Sequence, residues 1–156
     1  ELAKAYGVKA EELRKGGLVL SGVLENRRLM AVSPKMYYDS YPDGRETNAY
    51  EKLLAHEIFH RLHIRIMGGN EDAMGPTWFF EGFAIYAADQ FSDSPAKMTD
   101  AEILGVLDAA GRGSYKKYGA VMRRLTSKVK IESMVGHASD KDFVNSLKHE
   151  AFAKSK

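Results

Sequence analysis

The sequence contains no cysteine. Disulfide staples and thiolate-bound zinc are therefore excluded, although the absence does not fix a compartment. No apolar run approaches the roughly 20 residues that a membrane-spanning helix needs, so no span is expected. Neither sign of charge predominates, since 23 Lys and Arg stand against 21 Asp and Glu for a net charge of +2. The basic pairs Arg27-Arg28, Lys116-Lys117 and Arg123-Arg124 are scattered among acids and read as solvated faces. Nothing in that pattern calls for nucleic acid as a partner. Internal repeats and low-complexity tracts are also lacking. What remains is ordinary for a soluble globular protein, with 44% apolar and 28% charged residues. A chain of 156 residues suffices for one domain with one core and is too short for two of usual size. Glu1 begins no signal-peptide pattern and does not resemble a native start, so a trimmed form is expected. A secreted or periplasmic origin is compatible with that.

Against this plain background two stretches stand out, His56-Glu57-Ile58-Phe59-His60 and Trp78-Phe79-Phe80-Glu81-Gly82-Phe83-Ala84. Two histidines four apart lie about one helical turn from each other, so both imidazoles leave one face of a helix. That geometry suits a tetrahedral Zn²⁺ with Zn–N distances of about 2.0–2.1 Å. Glu57 lies roughly 100° around the helix from His56, beside a metal rather than on it. From there its carboxylate can take a proton from a metal-activated water. The natural third ligand is Glu81, which sits within an apolar run where an unpaired charge would be costly to bury. Coordination of a divalent cation removes that cost.

These residues form the patterns H-E-x-x-H (His56, Glu57, His60) and W-x-x-E-G-x-A (Trp78, Glu81, Gly82, Phe83, Ala84). Over about residues 45–125 the chain resembles the gluzincin zinc metallopeptidases, most of all the aminopeptidase N group. Between His60 and Glu81 lie 20 residues, two more than is usual in that group, and the Gly68–Gly75 loop is the place for them. The resemblance implies a Zn²⁺ cofactor on His56, His60 and Glu81, Glu57 as general base, and a peptide or protein substrate. It also implies the fold: a mainly α, minimal zincin-like catalytic domain with a small N-terminal β hairpin or sheet packed on the zinc helix. A metzincin would need glycine at 63 and histidine at 66, where this chain has His63 and Ile66. His63 is expected to be a packed or cleft-wall residue.

Two further echoes concern substrate and oxyanion. Gly22-Val23-Leu24-Glu25-Asn26 is similar to the G-A-M-E-N strand of the aminopeptidase group, whose glutamate holds the substrate's free amino terminus. Carried over, that role falls to Glu25; the simpler reading, a polar turn between two strands, is preferred. Tyr115-Lys116-Lys117-Tyr118-Gly119-Ala120-Val121-Met122 is similar to the group's Y-x-K-G-A-x-V-L segment, whose tyrosine supports the oxyanion. An ungapped register makes Tyr115 that residue, and the glycine register makes it Tyr118. A tyrosine without that role is equally compatible.

The remaining organisation follows from turn and cap signals. Residues 1–15 read as a helical pair broken at Gly7; the segment resembles the helix-turn-helix of small repressors, but packing on the core is the preferred reading. Residues 18–32 read as a β hairpin, and 33–46 as a long loop rich in tyrosine and turn residues. The zinc helix spans 48–67, opened by an Asn48–Glu51 capping box. Tyr50, Leu53, Leu54, Ile58, Leu62 and Ile66 are expected to wrap the metal in apolar surroundings. A second helix covers 77–90, in which Gly82 would let the backbone approach metal or substrate closely. The segment 99–156 reads as C-terminal helices, the first opened by a Thr99–Glu102 capping box and another running from Ser114 to about Lys130. His137 and His149 show no ligand-like spacing. Zinc-dependent peptide hydrolysis is the expected function, with endopeptidase and aminopeptidase action both open. A catalytically silent, zinc-bearing binding or regulatory module is the alternative.

Overall fold

In a computed structural model of the protein the described residues are 4, 22–25, 28–41 and 45–152. Strands β1 (Gly22–Glu25) and β2 (Arg28–Ala31) pair antiparallel, with Val23 opposite Met30 and Glu25 opposite Arg28. The expected hairpin is therefore present. Its turn residues and, Lys4 apart, the N-terminal helical segment lie outside the described residues.

The expected loop over 33–46 contains a helix, α1 (Pro34–Ser40). Its start is chemically well marked. Ser33 is the N-cap, its hydroxyl accepting from Met36 N, and Pro34 fills the first turn, where a missing N–H costs nothing. Tyr37 turns inward among Tyr38, Tyr41 and Tyr50, with ring centroids 5.3–5.9 Å away. With Ala49 and Leu53 it forms a small core, and the Tyr50 hydroxyl donates to Val32 O at 2.7 Å. This cluster, together with the hairpin, packs on the long helix α2 (Ala49–Ile66). The expected capping box at its start is absent: Asn48 is left-handed (φ 56°) and its side chain makes no cap bond. Asparagine tolerates that conformation better than most residues, so here it turns the chain rather than capping the helix.

After a short 3-10 turn (Glu71–Ala73), α3 (Thr77–Ala87) carries the apolar run. Its Trp78, Phe79, Phe83 and Ile85 are buried and lie at the centre of the main core. Phe79 meets Phe143 edge-on at 4.9 Å, and Trp78 stacks parallel to Phe143 at 6.3 Å. Each such burial contributes about 1.5–3 kcal/mol relative to exposure. The core is completed by α4 (Asp100–Leu107), α5 (Tyr115–Thr126), α6 (Ile131–Gly136) and α7 (Phe143–Phe152). The Thr99–Glu102 capping box forms as expected, with both reciprocal bonds. The helix from Ser114 ends at Thr126 rather than near Lys130. The described residues are mainly helical, and no helix among them is long and apolar enough to cross a membrane.

Two expectations about the helices are corrected. A Cβ at Gly82 would lie 2.6 Å from Met122 Cγ and 3.2 Å from Tyr118 O, so this glycine lets α3 approach α5, not a metal. Neighbouring helical residues point about 100° apart, and with Glu81 turned toward α2 its successor must face elsewhere. Ile58, Leu62 and Ile66 do not wrap the metal; they are exposed. They occupy one stripe of α2, and it is the other flank, with Leu53, His56 and His63, that is buried.

Candidate metal centre

The two histidines reach one point because α2 continues unbroken through both. Glu81 reaches the same point because α3 packs against that flank of α2. His56 Nε2 lies 2.9 Å from His60 Nε2, and Glu81 Oε2 lies 3.3 and 3.2 Å from the two nitrogens. A tetrahedral ion with bonds of about 2.0–2.1 Å sets its ligands about 3.3–3.4 Å apart, close to these separations. Glu81 Oε2 is buried and has no hydrogen-bond partner, as expected of an atom whose partner is a cation. The three side chains could hold a divalent metal ion. Among the described residues no other group of three His, Asp or Glu side chains converges in this way.

Two of the three side chains, His56 and Glu81, have further polar partners. The Gln90 amide oxygen, which can only accept, lies 2.8 Å from His56 Nδ1. The proton therefore sits on Nδ1, and Nε2 is left bare toward the other ligands. Gln90 is itself buried, in a bend where Asp89 and Phe91 both have positive φ, and Arg123 donates to its carbonyl at 2.7 Å. On Glu81, the second oxygen Oε1 accepts from the Tyr115 hydroxyl at 2.9 Å and from the Arg112 guanidinium, which leaves Oε2 facing the imidazoles. Burial alone would push the Glu81 carboxyl up. In their protonated form the two imidazoles beside it, by hydrogen bonding and charge, outweigh burial and hold it well below the usual carboxylate range. Such outer partners matter for affinity. Replacing Gln90 by Leu is expected to weaken divalent-ion binding about 10–100-fold, read by competition with a chromogenic chelator. Undiminished affinity in that variant would mean that the amide does not set the His56 ring.

Glu57 is different in kind. No hydrogen bond or ion pair engages it among the described residues. Burial pushes its carboxyl up to about 7, opposed by the charges of His60 and Arg112 and helped by that of Glu81. A carboxyl poised there can both take and give a proton near neutral pH.

The other expected residues separate clearly. Tyr115 is at the site, through Glu81. The Tyr118 hydroxyl is not: it receives the Gly113 N–H and lies 3.5 Å from Gly111 O, so this buried ring anchors the loop before α5. Glu25 ends β1, which packs on α2, but its side chain lies outside the described atoms. His63 is fully buried against Phe83 (4.7 Å) and Phe79 (5.7 Å), with no partner on either ring nitrogen. His137 and His149 are exposed, away from the cluster. Gln90 and Arg112 had escaped the sequence reading. The only available hint for Arg112 was its isolation between two glycines, Gly111 and Gly113. A comparison with protein-family models, curated proteins and solved structures finds no match, so the chemistry of these side chains alone bears on function.

Proposed function

We propose that the protein is a zinc-dependent, gluzincin-like metallopeptidase with Glu57 as general base. The observation that carries this reading is the near-tetrahedral convergence of His56, His60 and Glu81 beside an unpaired, proton-poised Glu57. His56, His60 and Glu81 would hold the ion. Bound there, Zn²⁺ supplies a Lewis acid that lowers the pKa of water and polarises a carbonyl. Glu57 takes a proton from the attacking water as the water oxygen bonds to the scissile carbonyl carbon. It then gives that proton to the nitrogen as the C–N bond breaks and the amine leaves. Tyr115, whose hydroxyl donates to Glu81 Oε1, would turn that proton to the oxyanion that forms between those two events.

The test is elemental analysis of the purified protein together with casein hydrolysis before and after dialysis against 1,10-phenanthroline. One zinc per chain is expected, with hydrolysis lost on chelation and restored by added Zn²⁺. Zinc without hydrolysis would point instead to a silent zinc-bearing module, and absence of both would remove the reading. Peptides with free and acetylated amino termini, run side by side, separate an aminopeptidase anchored by Glu25 from an endopeptidase.

A further inference from the structure

We propose that Arg112 is a second oxyanion donor of this site, acting with Tyr115; the proposal rests on the peptidase reading. The Arg112 guanidinium contacts the buried Glu81 Oε1, yet its side chain is 62% exposed. It therefore spans from the buried Glu81 carboxylate to solvent. Tyr115 donates to the same oxygen at 2.9 Å, and Arg112 Cζ lies 5.4 Å over the Tyr115 ring. Two donors from one short stretch thus already converge on a single oxygen beside the metal-ligand atoms. A guanidinium has five N–H donors. Glu81 takes one nitrogen, and no other hydrogen bond engages the rest among the described residues, so they are available to a substrate oxygen.

Charge points the same way. A divalent ion with Glu81 and Glu57 both ionised sums to zero. Arg112, charged at every accessible pH, adds positive charge beside Glu81, and with the water's proton held on Glu57 the site is positive when the oxyanion develops. Stabilising Glu81 alone would not call for it, since the imidazoles and a cation already do so. The loop that carries it is held in place: Gly113 N donates to the hydroxyl of the buried Tyr118. Tyr118 is thus a positioning residue for Arg112 rather than a rival of Tyr115.

The test compares Arg112→Gln and Arg112→Lys with the parent protein, all loaded with zinc. It measures zinc affinity by chelator competition, kcat and KM on one peptide, and Kd for a phosphinic peptide that mimics the tetrahedral oxyanion. For Arg112→Gln, kcat is expected to fall about 100-fold, with phosphinic-peptide affinity falling alongside it. KM should stay within about threefold of the parent, and kcat is taken per bound zinc because Arg112 also holds the Glu81 carboxylate. Arg112→Lys, which keeps the charge but loses the fork, should fall between. If zinc affinity dropped while kcat per bound zinc was unchanged, Arg112 would act only through Glu81 and the proposal would be overturned. Unchanged kcat with unchanged phosphinic-peptide binding would overturn it equally. A parent protein without chelator-sensitive hydrolysis would remove the peptidase reading and this role together, which sets that failure apart from one confined to the variants.

Discussion

Glu57→Gln is expected to lower turnover about 10²–10⁴-fold while zinc stays bound at the parental stoichiometry. The amide is nearly isosteric with the carboxyl but cannot accept the water's proton, and the three side chains that would hold the ion are left intact. Structure should not suffer either, because no hydrogen bond or ion pair among the described residues depends on Glu57. The sign of any stability change can be worked out. Burial raises the Glu57 carboxyl to about 7 in the fold from 4.5, so its ionisation above pH 7 weighs against the folded state. A neutral amide removes that cost, and the metal-free variant should melt at or above the parental temperature at pH 8. Zinc content, peptide hydrolysis and thermal unfolding on the same preparation check all three points. Hydrolysis at the parental rate would eliminate Glu57 as the base.

A second large effect is expected in stability rather than activity, at His63. Burial, followed by the charge of His60, holds its imidazole down to about 4 from 6.5. Between those values the unfolded chain takes up a proton that the folded protein refuses. The contribution of this residue is therefore complete above about pH 6.5 and is lost as pH falls toward 4. At 1.36 kcal/mol per pKa unit the loss between pH 7 and pH 4 amounts to roughly 2–3 kcal/mol. His63→Leu should lack that slope. It should also be more stable at pH 7 by about 1 kcal/mol or more, because two unsatisfied buried nitrogens disappear. Urea unfolding of metal-free parent and variant across this range isolates the difference, since Glu57, Glu81 and the other titrating groups are common to both. Parallel stability curves would show that His63 does not titrate as its burial implies.

The readings that held share a physical basis. Two imidazoles four apart on an unbroken helix share a face because backbone geometry places them there, whatever surrounds the helix. The hairpin strands and the Thr99–Glu102 capping box are equally local, set by residues within a few positions of one another. Glu81 lies on another helix and was still legible, because a carboxylate inside an apolar run needs a buried partner. The readings that failed were local signals with two meanings. Ser33-Pro34 both open a turn and start a helix, and here they start α1. Asn48 both caps a helix and tolerates left-handed backbone, and here it does the second.

From the sequence alone, then, came the helical character, the pair of histidines with Glu57 beside the first, and Glu81 as a carboxylate able to join them. Tertiary structure decided the rest. It chose which flank of α2 is buried and so left Ile58, Leu62 and Ile66 in solvent. It turned Gly82 toward α5, set the Tyr115 hydroxyl on Glu81 and that of Tyr118 on the loop before α5, and brought Gln90 and Arg112 against side chains 34 and 31 residues away. Covalent geometry fixes directions within one element, whereas the facing of one element on another is settled only by packing.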